Sequence, residues 1–291
     1  MIGKNNFNNY FLPIFFGAYK YIRWHFYQYQ FFYKKIILKT NGNLFCFLFN
    51  LGALLKNKDI RFFYIKKDRI YFAKSKNIKK FFFSKNQNYN SYNNGIKERG
   101  FGLGKEYFLP EIKFNDNDVV IDCGANIGDL KIYFDENKLN VEYIGIEPSP
   151  KEYYCLTKNI NNSKSYNLGL WNINGHLDFF VSSENADSSF ILPPVYNDKI
   201  KIITKRLDSL LDKKIKLLKI EAEGGEIEVL MGCEKLLSKI DYITADLGFE
   251  RGVAKDSTLV PVTNYLLKKN FKLVNFNSRN SRIVALFKRI E

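Results

Sequence analysis

Two short apolar runs in this chain end in an acid, and each acid borders a turn. Val119-Val120-Ile121 leads into Asp122 and then Cys123-Gly124-Ala125-Asn126-Ile127-Gly128-Asp129. Val141 to Ile146 leads into Glu147 and then Pro148-Ser149-Pro150. Runs of this length read as buried parallel strands. Ligands of such sheets sit at the carboxyl ends of the strands, near the switch point in strand order. Glycine lets the backbone approach a ligand closely, and an acid at the second tip can take both ribose hydroxyls. The first acid constrains the ligand's charge. A dinucleotide turn reads Gly-x-Gly-x-x-Gly and rests a pyrophosphate on a helix N-terminus. Here the spacing is Asp-x-Gly-x-x-x-Gly, and a carboxylate in that place repels a pyrophosphate but suits a cationic sulfonium and amine.

That charge pattern is the one S-adenosylmethionine requires, with Asp122 and the Gly124–Gly128 turn at its methionine end and Glu147 on its ribose. An ordinary α/β turn without a ligand is the plain alternative, and a nicotinamide oxidoreductase is disfavoured by the glycine spacing. A further group of acids follows the run Leu217-Leu218-Lys219-Ile220: Glu221, Glu223 and, after Gly224-Gly225, Glu226. Glu221 and Glu223 share one face if the strand continues through them, and Glu226 favours the dipole of the helix it opens. Tyr242 to Ala245 leads into one more acid, Asp246. Acids crowded at strand tips point to proton transfer or a bound cation. Oxygen-rich sites of this kind also suit Mg²⁺, although no residue is singled out as a metal ligand.

Strands and helices alternate from about residue 95 to the end, as a doubly wound α/β sheet demands. The expected strands are Asp118–Asp122, Val141–Glu147, Ser165–Leu170, Leu217–Glu221 and Asp241–Leu247. An antiparallel C-terminal pair covers Phe271–Phe276 and Arg282–Lys288. Helices are expected to open at Leu130 and to cover Lys151–Asn161, Glu226–Leu237 and Leu259–Lys269. His176–Val181 reads as part of an inserted antiparallel hairpin returning through Ile200–Thr204, with a polar loop from Ser182 to Pro194 that includes Asp187-Ser188-Ser189. Asn86–Asn94 reads as an Asn-rich loop. Gly95–Tyr107, with four glycines, can lie over the ligand site, and its glycines suit a lid or close approach to the ligand.

Residues 1–94 read as a separate basic aromatic region of helices and a small β element, with 95–291 as the ligand-binding domain. Apolar and aromatic residues recur at helical spacing from Ile14 to Leu38, Asn41-Gly42-Asn43 interrupts them, and Leu44–Leu55 continues. Arg61–Ile65 and Arg69–Ala73 alternate as a hairpin, and Lys80–Ser84 offers a third strand. The chain carries a net charge of +15 over 291 residues. The surplus lies in residues 1–110, which hold 20 Lys and Arg against 4 Asp and Glu. A basic aromatic segment suits the anionic face of a membrane better than nucleic acid, which is not expected as a partner. A helical cap or dimer contact is the alternative, and AT-rich codon drift accounts for part of the bias. The four cysteines are widely spaced with no Cys-x-x-Cys pair, which fits a reducing cytoplasm and no zinc or disulfide framework. The N-terminus reads as no secretory signal, and Leu44–Leu55 is too short to span a bilayer.

Read together, these stretches resemble the FkbM family of S-adenosylmethionine-dependent methyltransferases. The matching residues are Val119 to Gly128, Ile146-Glu147-Pro148-Ser149, and Leu218-Lys219-Ile220-Glu221-Ala222-Glu223-Gly224-Gly225-Glu226 through Gly232. The resemblance covers roughly residues 95–290 and leaves the first ninety unmatched. It implies a class I methyltransferase, Rossmann-like sheet, parallel with an antiparallel C-terminal hairpin. It also implies methyl transfer to oxygen, commonly a sugar hydroxyl of a surface glycan or secondary metabolite, and here a hydroxyl of a sugar, sugar nucleotide or glycan for a bacterial surface polysaccharide is expected. The chain departs from the family's Lys-Ile-Asp-x-Glu-Gly pattern by placing Glu221 where the Asp stands. The implied site has Asp122, Gly124, Ala125, Asn126, Gly128, Glu147, Pro148 and Tyr107 around the cofactor. Glu223 and Glu221, then Asp246, then His176, are the candidates for removing the acceptor's proton. Transfer to an amine or phosphorus-linked group, or a membrane-associated scaffold without turnover, are the other readings.

Overall fold

The computed structural model describes residues 7–182, 188–279 and 282–290. Asp187, expected in the polar loop after Val181, lies outside the described residues. The chain divides into two compact units, Met1–Ile78 and Lys79–Glu291.

In the first unit a single helix covers Phe7–Lys39 and a second covers Gly42–Leu55. Strands Arg61–Ile65 and Ile70–Ser75 pair as an antiparallel hairpin. The core forms because the second helix turns its aromatic side to the hairpin: Phe49 stacks on Phe62 with ring centroids 3.6 Å apart. Asn50 completes the join, donating to the Phe62 carbonyl at 2.9 Å and accepting from the Phe62 amide at 2.7 Å. A further strand, Ile78–Phe82, starts at the boundary between the units.

The second unit is built on a seven-stranded sheet. Its strands are β1 (Val119–Cys123), β2 (Glu142–Ile146), β3 (Lys164–Tyr166), β4 (Ile215–Ile220), β5 (Ile240–Asp246), β6 (Phe271–Arg279) and β7 (Arg282–Arg289). Their spatial order is β3-β2-β1-β4-β5-β7-β6. β1 to β5 run parallel, and β7 is antiparallel to both β5 and β6. This is the expected class I methyltransferase order, with its reversal between β1 and β4. All five residues of β1 are buried, as a central strand covered on both faces requires. Alternation sends Val119, Ile121 and Cys123 into one core and Val120 into the other. Asp122 therefore shares the face of Val120. All four cysteines are buried thiols.

Several expectations need correction. Asn86–Asn94 is not a simple loop, because Lys85–Ser91 is helical, with the Asn88 side chain bonded back to the Ser84 carbonyl at 2.8 Å. The glycine-rich stretch before β1 forms a helix, Ile96–Glu106. Its glycines permit close packing: a Cβ at Gly100 would lie 2.5 Å from Ile132, and one at Gly104 would lie 2.1 Å from Tyr133. The missing side chains let this helix lie against Lys131–Glu136. The stretch Ser165–Leu170 is divided. Lys164–Tyr166 stays in the main sheet, while Gly169–Leu170 pairs with Asp198–Lys205 in a small sheet that includes Gly175–Val181. Asn167 makes the turn between them, donating to the carbonyls of Glu147 and Pro148 at 2.9 and 3.0 Å. The helix expected over Glu226–Leu237 stops at Met231 and resumes as a 3-10 helix from Glu234 to Lys239.

Candidate functional site

Parallel strands that end together leave their last residues and following loops around one hollow. Here β1, β2 and β4 end at Cys123, Ile146 and Ile220. The hollow they frame holds about 410 Å³. Among the expected residues Asp122, Gly124, Ala125, Asn126, Glu147, Pro148, Tyr107, Glu221 and Glu223 all line it. Gly128, Asp246 and His176 are not in its lining. His176 is exposed on the small sheet, paired with Ile203.

The first turn is fixed by backbone bonds. The amides of Gly124 and Ala125 both donate to the Ile146 carbonyl at 3.0 Å. Gly124 has φ +71°, and a Cβ there would sit 1.9 Å from the Glu221 carbonyl oxygen, so the tips of β1 and β4 close only over glycine. Asn126, at φ +49°, points its amide to Glu147 at 2.8 Å, and the Ser149 amide reaches the other carboxylate oxygen at 2.8 Å. Two amide donors thus orient Glu147 at the tip of β2. Burial, reinforced by neighbouring Glu152, pushes its carboxyl up to about 8.

Across the switch point, the β1–β4 register sets Lys219 opposite Asp122. Lys219 is 97 % buried, and its Nζ lies 2.9 Å from Asp122 and 3.0 Å from Glu221. It also donates to the Gly124 carbonyl at 2.9 Å. Tyr143 donates its hydroxyl to Asp122 from β2. Burial alone would drive the lysine toward neutrality, but the two carboxylates outweigh it and keep the ammonium charged.

A second cation closes the other side. Arg282, first residue of β7, forms ion pairs with Glu221 and Asp246, a third with Glu106 at 3.1 Å, and donates to the Tyr107 hydroxyl at 2.8 Å. Burial would raise the Glu221 carboxyl, yet Lys219 and Arg282 together hold it well below the usual carboxylate range. Glu221 is therefore an anion fixed between two cations. Asp246, fully buried, is tied to Arg282 and to the Gly248 amide at 3.1 Å.

Glu223 differs from both. The strand stops before it, and Glu223 takes a left-handed turn at φ +48°. Its carbonyl accepts from Ser189 at 2.7 Å. The shared face expected for Glu221 and Glu223 is lost, because the chain bends where a straight strand was assumed. Glu226 serves the turn itself: it accepts from the amides of Ala222 and Gly224 at 3.1 Å each and from Thr258 at 2.9 Å.

Among the charged residues lining the cavity that escaped the sequence reading are Lys219, Arg282 and Glu250. Lys219 carried a usable signal, since a lysine inside an apolar strand is buried only when paired. Arg282 carried none, because its partners come from three distant segments. Glu250, on the short strand Phe249–Arg251, lines the cavity. Burial, with Asp246, Glu221 and Glu226 nearby, pushes its carboxyl up to about 8. The same geometry lends the Mg²⁺ expectation no support. Asp122, Glu221 and Asp246 are paired with Lys219 and Arg282, and among the described residues no group of three or more His, Cys, Asp or Glu is arranged to hold a metal ion.

Residues 122–273 match the model of a family described as the methyltransferase FkbM domain. Methyltransferase sdnD of Sordaria araneosa is 24% identical, over 41% of this chain and 61% of its own length. The chain thus spans less than two thirds of that curated relative. Among solved structures, the methyltransferase FkbM of Methylobacillus flagellatus superposes with a TM-score of 0.46 at 18% identity, covering 66% of this chain and 50% of that one. M. jannaschii TYW2, solved in complex with AdoMet, gives 0.40 at 15% identity over 75% and 86%. M. capricolum TrmK, solved in complex with S-adenosyl-homocysteine, gives 0.39 at 11% over 65% and 68%.

Proposed function

The chain belongs to the FkbM methyltransferase family, and from that premise we propose that it is an S-adenosylmethionine-dependent O-methyltransferase whose acceptor is a hydroxyl of a sugar, sugar nucleotide or glycan. The observation that carries the reading is the meeting of Asp122, the Gly124 turn, Glu147 and Glu223 around one cavity at the switch point of the sheet. The residues present fit the cofactor. Glu147 is oriented by two backbone amides while lining the cavity, as a ribose acceptor must be, and the Cβ-free Gly124 leaves the tips of β1 and β4 in contact.

When bound, S-adenosylmethionine supplies an electrophilic methyl group on a sulfonium. Asp122, Asn126 and Tyr107 would surround the methionine end, and Glu147 the ribose. The remaining task of the protein is to align the acceptor hydroxyl and take its proton as the new bond forms. Lys219 and Arg282 hold Glu221 as an anion, and Asp246, which burial pushes up to about 6, is tied to Arg282 away from the cavity lining, so their role is to position those cations and the strand tips. Proton removal falls to Glu223 or Glu250, and Glu250 is favoured because burial among acids pushes its carboxyl up to about 8, near working pH. The cavity's other wall supports a hydroxyl-rich acceptor. Ser84, Gln87, Asn88 and Ser91 offer hydrogen bonds there, and Phe83, Phe179 and Phe190 offer ring faces. In this reading the enzyme works in a reducing cytoplasm on material destined for a bacterial surface polysaccharide.

Calorimetric titration with S-adenosylhomocysteine tests the cofactor. Wild type should bind at micromolar levels, and Glu147→Ala should weaken binding about 10- to 100-fold, the cost of a lost pair of buried hydrogen bonds. Absence of binding by folded wild type would overturn the reading. The base has its own signature. Activity should rise with pH through an inflection near 8, since Glu250 accepts a proton only when ionised. Glu250→Gln should remove that limb and lower kcat by roughly 10²- to 10⁴-fold. An unchanged pH profile in Glu250→Gln would transfer the role to Glu223.

A further inference from the structure

The first 58 residues hold eight Lys and Arg and no Asp or Glu, and nothing in the proposed chemistry uses them. Helix Gly42–Leu55 contains no charged residue. It buries Phe45, Cys46, Phe49 and Ala53, while Leu44, Phe47 and Leu51 stand 55%, 64% and 39% exposed. Positions 44, 47 and 51 follow helical spacing and make one stripe on the outer side. On helix Phe7–Lys39, Tyr21, Trp24, Phe31, Phe32 and Ile36 are each more than half exposed, and the exposed Lys20, Lys35 and Lys39 lie among them. Contiguous apolar exposure of this kind marks an interaction surface.

We propose that these two helices are a docking surface for an anionic phospholipid bilayer. Charge decides the occupant. A second copy would bring the same excess of positive charge to the contact, whereas an anionic bilayer attracts it. A nucleic acid would match the lysines but would leave the uncharged stripe Leu44, Phe47 and Leu51 against phosphates. Acyl chains accept that stripe, and Trp and Tyr settle at the level of the headgroups. Among the described residues no helix is long and apolar enough to cross a membrane, so the contact is with one face of the bilayer.

The test is co-sedimentation of the full chain with vesicles of phosphatidylcholine alone or with one third phosphatidylglycerol. Binding should require the anionic lipid and fall with added salt. Lys20→Glu/Lys35→Glu/Lys39→Glu should weaken it on the order of a hundredfold, from about one fivefold step per lysine. Phe47→Ser/Leu51→Ser should weaken binding to the anionic vesicles while leaving the thermal midpoint of the larger unit unchanged. Trp171 is buried, so Trp24 should supply the blue shift in emission on binding, and Trp24→Phe should abolish it. Equal binding to both vesicle types, no binding to either, RNA binding that outcompetes the vesicles, or a dimer disrupted by Phe47→Ser would each overturn the proposal.

Discussion

An Arg282→Met variant is expected to lose about 3–5 kcal/mol of folding stability at neutral pH, the cost of breaking a buried ion pair from one side. Methionine keeps the volume but leaves Asp246, which is fully buried, and Glu221 without their shared cation. Urea denaturation at pH 7 measures the loss. Acid dependence supplies a second readout. In the wild type, Glu221 has a folded-state pKa depressed below its unfolded value. Its contribution is therefore present above the ordinary carboxylate range and disappears as pH falls through the folded value. Removing Arg282 should shrink that acid-side loss, leaving only the part due to Lys219. Glu221→Gln added to Arg282→Met should recover a portion of the stability. A loss below 1 kcal/mol with an unchanged acid limb would show that Arg282 is not the cation on which these carboxylates depend.

Gly124→Ala should abolish cofactor binding at accessible concentrations while leaving much of the fold in place. Backbone strain at a positive φ costs about 1–3 kcal/mol. The added methyl would also stand 1.9 Å from the Glu221 carbonyl oxygen, a backbone atom that moves only if β4 moves. Separating β1 from β4 displaces Asp122 from Lys219 and opens the hollow at its floor. Titration with S-adenosylhomocysteine, beside a circular dichroism spectrum, reads both effects. Wild-type affinity in Gly124→Ala would refute the claim that this contact shapes the cofactor site.

The parts of the site visible in the sequence were those written locally. Asp122 and Glu147 could be located because each closes an apolar run and adjoins a turn, and both line the cavity. The antiparallel ending was read over Phe271–Phe276 and Arg282–Lys288, and those segments do pair antiparallel. What escaped depends on distance or on the purpose of a glycine. Lys219 meets Asp122 across a ladder that joins residues 97 positions apart, and Arg282 gathers Glu106, Glu221 and Asp246 from three elements. Gly100 and Gly104 were read for backbone freedom, although their use is the absence of a side chain beneath Ile132 and Tyr133. Asn-rich residues 86–94 have poor helix propensity, and tertiary packing of Tyr89 and Tyr92 into the interior prevails over it.

The burial of the four cysteines bears on how the molecule can be handled. Burial pushes the thiols of Cys46 and Cys155 up to about 12 and raises those of Cys123 and Cys233 as well. Thiolate, the form that alkylates, is thus scarce at all four native positions while the chain is folded. One cysteine introduced on the surface would be the single fast-reacting thiol. A fluorophore or spin label could then be attached to helix Gly42–Leu55 or to the cavity rim without first stripping the native cysteines from the core.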